Sequence, residues 1–523
     1  MEWKPQHPAF QALLTALLQQ TRPVYVVGGV VRDHLLGRQQ KVTDLDIVVE
    51  RSALAIGQRV ADQLGWAYYP LDEARDVARL VFTANPSAPL ACDIAGMRGG
   101  TIENDLLYRD FTINAMAFAI ENKGGGKKGG EKKGEVTLLD PWRGQADLSQ
   151  RQLRRVSAAS MADDPVRMLR AVRFAVQLGF TIEEQTLLQI KRMCSTITLA
   201  SAERVRDELW KMMAADRPTI GLETLQSLGL LTYMLPELAT LDGLAQSYPH
   251  HEDGYQHTLR VVRHAVQLRN WLLGRPIPDQ DEVTASWQQK FAPLFTELRH
   301  HFTMPLATGH LRAEWLVWHA LLHDIGKAVT RTAEPQPDNR IRYRFLEHER
   351  VGAGMAEQRL NALRFSRQEV QLAATVIANH MRPHLLSAAF TDQSVSKRAS
   401  YRFYRSTGSR QSEEPAGLDT LLLAIADYSA TYRVSPPPNW DAYLTHIDQL
   451  LRYGLDANGL AETKAQPLVD GHTLMRRLGL PPGRQVGQLL EQLLEAQAAG
   501  EVATTEEALT LASEWLRESK GKS

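Results

Sequence analysis

The chain has 523 residues, with 60 Lys and Arg against 60 Asp and Glu, 44% hydrophobic and 23% charged residues, and two cysteines. That length allows three or four domains with sizeable cores, and the balanced charge excludes a uniformly basic surface, so any polyanion must meet a local patch. Cys92 and Cys194 exclude a disulfide framework or zinc ribbon, while the lack of a bilayer-length apolar run and the polar opening MEWKPQHPAF predict a cytoplasmic protein without a membrane partner.

In chain order, Phe10–Leu18 and Ala53–Leu64 read as helices, and Val24–Val27, Ile47–Val49 and Thr137–Leu139 as strands, which predicts an α/β region up to about residue 148. The stretch VYVVGGVVRDHLLG (24–37) is a strand, a glycine pair and an amphipathic helix. Gly28 and Gly29 allow backbone N–H groups to approach an anion at a helix start, with Arg32 one turn further on. In DLDIVV (44–49), Asp44 and Asp46 project from the same side of a strand. Two like charges held together repel unless a cation sits between them, and hard carboxylate oxygens suit Mg²⁺. Solvation at a strand edge is the alternative, but the neighbouring glycine turn favours a metal-bound triphosphate. Asp93, in PLACDIAGMR (89–98), is a candidate third ligand.

Further along, DLLYRDFTINAMAFAI (105–120) reads as a helix with a polar start, in which Thr112 and Asn114 are candidates for ribose contact. ENKGGGKKGGEKKGE (121–135) reads as a mobile hairpin tip. From residue 149 the pattern turns helical. DDPVRMLRAVRFAVQLGF (163–180) spaces Arg167, Arg170 and Arg173 along a helix, with Asp164 one turn before Arg167; a solvated basic face and a reader of base edges both fit this spacing. Breaks near 246–254, 275–281, 333–340 and 435–440 separate helical bundles.

GGVVRD, DLDIVV, RDFTINAMA, LLDPWRG, DDPVRMLRAVRF and SAERVRDEL, in this order over residues 20–240, resemble the bacterial-type tRNA nucleotidyltransferase and poly(A) polymerase family. The resemblance implies a polymerase-beta-like head (1–148) and a helical neck and body (149–245) that selects nucleotide and binds tRNA. By the same resemblance Asp44 and Asp46 bind catalytic Mg²⁺, Gly29 and Arg32 the triphosphate, and Arg109 assists the nucleotide. The family's base-reading motif E-D-x-x-R appears here as Asp163-Asp164-x-x-Arg167. Asp163 stands where Glu is usual, and Tyr108 where a second Arg is common. The implied reaction is addition of CCA from CTP and ATP to tRNA 3′ ends, with A-only, CC-only or poly(A) addition as alternatives.

Beyond residue 246, His257, His323-Asp324, His348, His380 and Asp427 recur in apolar helical surroundings. A buried His beside a buried Asp is costly unless paired or metal-bound. The order H…HD…D and the run HDIGK resemble the HD phosphohydrolase superfamily over 250–435. This implies a divalent transition metal on His257, His323, Asp324 and Asp427, with His348 and His380 where binuclear members carry extra ligands. A phosphohydrolase or 2′,3′-cyclic phosphodiesterase follows, with Lys327 near the phosphate. Residues 436–523 read as a helical tail, and no obligate protein partner is evident. A hydrolase whose head only binds, or a non-catalytic RNA scaffold, would leave the Asp44/Asp46 pair without a purpose.

Overall fold

The computed structural model describes residues 3–38, 42–83, 90–120, 136–338, 340–389, 394–408, 415–432, 435–456 and 467–521; the lysine- and glycine-rich run at 121–135 lies outside the described residues. The chain forms two compact units, Met1–Ala200 with Leu228–Leu230, and Ser201–Ser227 with Leu231–Ser523.

The first unit is built on a seven-stranded sheet. Its strands are β1 (Val24–Val27), β2 (Asp44–Val49), β3 (Ala67–Asp72), β4 (Val77–Phe82), β5 (Leu90–Gly96), β6 (Ala117–Ile120) and β7 (Val136–Leu139), in the order β3-β4-β5-β2-β1-β6-β7. Only β2 and β5 pair in parallel within it, with Asp46 opposite Asp93. Helix Ala53–Leu64 packs on β3, β4 and β5 through Ala53, Ile56, Gly57, Val60 and Ala61, the i, i+3, i+4, i+7 stripe of a half-buried helix. Asp76 caps its first turn, accepting from the N–H groups of Ala53 (2.8 Å) and Leu54 (2.9 Å).

The segment 105–120 departs from the expected continuous helix. A helix ends at Leu107, Thr112–Asn114 forms a 3-10 turn, and Ala117–Ile120 joins the sheet as β6. Burial of Phe111, Ile113, Met116 and Phe118 overrides the helical spacing there. A short parallel pair, β8 (Gln152–Leu153) with β9 (Thr181–Ile182), flanks helix Val166–Leu178.

The second unit is helical. Helix Gly254–Leu273 packs against Arg312–Leu322 and Gly417–Thr431, and all three are buried over most of their circumference. The run expected as a break between bundles at 333–340 begins inside β10 (Arg331–Pro335), which pairs antiparallel with β11 (Ile341–Phe345). Helices Gly471–Leu478, Arg484–Ala499 and Thr505–Gly521 close a small core of their own around Leu474, Val486, Leu493 and Ala512. No helix among the described residues is long and apolar enough to cross a membrane.

Candidate functional site

In the first unit the turn after β1 brings chemistry to one edge of the sheet. Gly28 has φ +80°, a conformation that disfavours any side chain, and a Cβ there would lie 3.0 Å from Asp46 Oδ2 and 3.2 Å from Arg109 Nη1. The glycine turn therefore sits directly against the second aspartate of D-x-D. Arg109 Nη1 stands 3.9 Å from Asp46 Oδ2. Burial pushes the Asp46 carboxyl above its ordinary range despite Arg109, and the nearby Asp93 and Asp44 charges push the same way. A cation beside Asp46 would relieve that cost, and carboxylate oxygen beside a bare glycine turn fits a hydrated Mg²⁺ carrying phosphates. Asp93 is already engaged: Arg79 on β4 holds both its oxygens, at 2.7 and 2.8 Å.

The arginines do not form a solvated ladder. Arg32 Nη1 donates to Asn114 Oδ1 (2.8 Å), and Asn114 Nδ2 donates to Asp110 Oδ1 (3.0 Å). Asp110 Oδ2 in turn accepts from Arg170 Nε (2.8 Å) and lies 2.7 Å from Arg170 Nη2. The guanidinium carbons of Arg32, Arg170 and Arg173 lie 5.0, 5.3 and 4.0 Å from the ring centre of Phe174. Arg167 donates to the carbonyls of Ser160 (3.0 Å), Arg109 (3.2 Å) and Tyr108, and its Nε is 4.0 Å from Asp164 Oδ2. Thr112 and Asn114, expected beside a ribose, are instead buried; Thr112 Oγ1 donates to Asp147 Oδ2 at 2.6 Å. Asn114 thus ties Arg32 to Asp110, while Thr112 bonds the aspartate that pairs with Arg154.

Asp110 had no role assigned from sequence, yet it joins the helix Gly29–Leu35 to the helix Val166–Leu178. Burial alone would raise its pKa, but the Arg170 charge and the bonds from Asn114, Arg170 and the Phe111 N–H outweigh burial and hold it at about 2. A depressed folded value means stability that is present above the unfolded carboxylate pKa and lost as pH falls toward the folded one. Asp110→Asn should therefore flatten the acid limb of the stability curve between roughly pH 4 and pH 2, at a cost of about 2 kcal/mol at neutral pH. Thermal melts of both proteins across that range check it.

The second unit gathers the other predicted residues. Asp324 Oδ1 faces His348 Nε2 (3.3 Å) and His380 Nε2 (3.8 Å), while Oδ2 faces His323 Nε2 (3.1 Å), His257 Nε2 (3.5 Å) and Lys327 Nζ (2.6 Å). Asp427 Oδ1 lies 3.1 Å from His257 Nε2. Two triads within metal-binding reach share Asp324: His257 with His323, and His348 with His380. His323, His348 and His380 each place Nδ1 at 2.7–2.8 Å from a backbone carbonyl three residues earlier, Ala320, Phe345 and Ile377. That contact puts a proton on Nδ1 and turns Nε2 toward the cluster, where in the neutral ring it carries the lone pair.

His348 Nε2 and His380 Nε2 then face each other at 3.3 Å, two lone pairs that a cation would reconcile. His257 Nε2, His323 Nε2 and Asp324 Oδ2 are buried without a well-aligned hydrogen bond. The nitrogen and carboxylate donors fit a borderline divalent ion. Burial and the neighbouring His348 and His323 lower the pKa of His380 to about 3, so its ring is neutral. Burial would raise Asp324 and Asp427, but His323 with Lys327, and His257 with His384, pull them well below the carboxylate range. His384 was passed over in the sequence; its Nε2 lies 3.0 Å from Asp427 Oδ2 and its Nδ1 3.1 Å from the Tyr443 hydroxyl, which orients the aspartate. Only the i+4 spacing to His380 marks it in sequence.

Residues 24–154 match the family model described as the poly(A) polymerase head domain, 179–241 that described as the probable RNA and SrmB-binding site of polymerase A, and 254–432 the HD domain. The A-adding tRNA nucleotidyltransferase of Deinococcus radiodurans is 32% identical over 507 residues, 95% of this chain and 96% of that protein. The CC-adding tRNA nucleotidyltransferase of Thermus thermophilus is 32% identical over 94% of each chain. The structure of the Thermotoga maritima CCA-adding enzyme complexed with tRNA matches with a TM-score of 0.52 and 21% identity, over 98% of this chain and 97% of that one. At that identity the match speaks for the fold.

Proposed function

The chain belongs to the tRNA nucleotidyltransferase family, and from that premise we propose that it adds C and A nucleotides, taken from CTP and ATP, to the 3′ end of tRNA without a nucleic-acid template. One observation carries the reading: the Asp46 carboxylate rests against the Gly28 turn with Arg109 beside it. On this reading residues 1–148 are the head, 149–245 the neck and body, 246–435 the HD domain and 436–523 the tail, in a cytoplasmic protein.

Asp44 and Asp46 would hold Mg²⁺, which when bound lowers the pKa of the RNA 3′-hydroxyl and neutralises charge on the departing pyrophosphate. The chain itself supplies position. The bare Gly28–Gly29 turn admits the triphosphate to backbone N–H groups, and Arg32 and Arg109 offer positive charge around it. Carbonyls of Ser160, Arg109 and Tyr108 immobilise Arg167, so that the Asp164–Arg167 pair presents the same acceptor and donors to each incoming base edge. The Asp110 network keeps that helix registered with Arg32.

The two relatives at 32% identity are named for A addition and for CC addition, which favours a second reading, one half of the CCA reaction. Offering the purified protein tRNA that lacks three, two or one terminal nucleotides, with labelled CTP or ATP, separates the two. Extension of all three substrates supports complete CCA addition, whereas extension of only the first two with CTP, or of only the last with ATP, supports the partial reaction. No extension of any of them rejects both.

In the second unit, His257, His323, Asp324 and Asp427 would hold one transition-metal ion, with His348 and His380 completing a second position through Asp324. Such ions activate water toward a phosphoester. Lys327 and His384 set the charge and orientation of the two aspartates.

A further inference from the structure

The hairpin β10–β11 has no part in the assignments above, yet its second strand lines a 530 Å³ cavity together with Asp324, His348 and Asp427. From β11 come Arg342, Tyr343 and Arg344; from the end of helix Gly417–Thr431 and the residue beyond it come Tyr428 and Tyr432. The hairpin thus brings two guanidinium groups to the lining, and the helix end two aromatic rings. Tyr428 lies flat on Tyr443 at 4.1 Å, and Tyr432 meets Tyr428 edge-on at 5.3 Å, so the aromatic pair is the end of a packed ring stack and rigid. The hairpin is tied down as well. The Tyr343 N–H donates to Ser247 Oγ (2.7 Å), Arg344 pairs with Glu334 (2.9 Å), and the carbonyl of Phe345, the last residue of β11, fixes the His348 ring.

A cavity of this size, lined by two arginines, by two tyrosines of a fixed ring stack and by Asp324, His348 and Asp427, matches a ligand with an anionic group and a planar ring. We propose that the hairpin is the substrate seat of the second centre: Arg342 and Arg344 take the phosphate of a nucleotide, and Tyr432 takes its base by stacking. This rests on the hydrolase reading of that centre and adds the residues that choose its substrate. The source of the nucleotide is either a free mononucleotide or an RNA 3′ terminus.

The test uses the full chain loaded with Mn²⁺ and the chromogenic ester bis(p-nitrophenyl) phosphate, whose turnover reports the second centre alone. Competitive inhibition is measured with 3′-AMP, ribose 5-phosphate and a short oligonucleotide ending in a 3′-phosphate. The expected result is that 3′-AMP binds about tenfold tighter than ribose 5-phosphate and that Tyr432→Ala abolishes the difference. Arg342→Ala/Arg344→Ala should weaken every phosphate by about tenfold, and Arg342→Lys should recover part of the loss. Tighter inhibition by the oligonucleotide assigns the seat to RNA ends, and the reverse to free nucleotides.

A second readout needs no turnover: photolabelling with 8-azido-AMP should place label on the peptides around 341–345 or 428–432, and the double variant should lose it. Equal inhibition by 3′-AMP and ribose 5-phosphate, or absence of label on these peptides, overturns the proposal. Label without turnover under any divalent ion retains the seat and overturns the hydrolase reading.

Discussion

Asp46→Asn should abolish nucleotide addition and leave the protein as stable as before, or more so. The catalytic half follows from what a carboxylate-held cation supplies in phosphoryl transfer, several kcal/mol of charge stabilisation, so the variant should lose at least about 10³-fold in turnover. The stability half follows from the site itself. Burial and the nearby Asp93 and Asp44 charges hold the Asp46 carboxyl above its ordinary pKa, so the ionised group is under strain in the folded chain at neutral pH. An amide removes the repulsion and keeps the shape. Primer-extension rates of the two proteins with Mg²⁺, and their melting curves without added metal, make the comparison. A variant that retains more than about a tenth of wild-type turnover, or that melts several degrees lower, contradicts the role given to this side chain.

In the second unit, divalent ions should raise the melting temperature of the wild-type protein by roughly 5–10 °C at a hundredfold excess over the dissociation constant, and His323→Ala should remove most of that gain. Phosphoester cleavage should disappear with it. Nucleotide addition, whose residues lie in the other unit, should persist. His323 is the better target than Asp324, because the buried Lys327 pairs with Asp324 at 2.6 Å, and stranding that ammonium would cost several kcal/mol by itself and obscure the metal effect. His348→Ala should remove only part of the metal-dependent gain, since one triad stays complete. Calorimetric scans with Mn²⁺, Ni²⁺ and Zn²⁺, followed by chelation, give the measurement.

The elements whose sequence and surroundings agree were legible in advance. Ala53–Leu64 has its apolar stripe, a glycine stop at Gly65 and a helix of the expected bounds. Val24–Val27, the glycine pair and the D-x-D strand follow from alternation and turn chemistry, and the Gly28 contact with Asp46 is what that order of motifs implied. What sequence reasoning missed came from long-range pairing. β3 carries a mostly exposed run, AYYPLD, that shows little alternation and joins the sheet only by pairing with β4. β6 showed only as the strand-like run ahead of 121–135, at the end of a helix-like spacing, and β10–β11 lay in a polar stretch that resembled a linker.

The arginines at 167, 170 and 173 could be placed on one helix from their spacing, but not their partners: Asp110 is 60 residues from Arg170 in sequence. The same holds for His384, whose partner Asp427 lies 43 positions away. Local spacing proposes a donor, and only the fold names its acceptor.

The three imidazoles anchored to main-chain oxygens have a consequence for how such a centre can decay over generations. Their tautomers are set by atoms that every amino acid carries, so no exchange of a neighbouring side chain deletes the anchor. Drift can erase a ligand, or displace the helix end or strand end that offers the oxygen. Between those two routes, the surroundings are free to diverge while the ring nitrogens keep their aim.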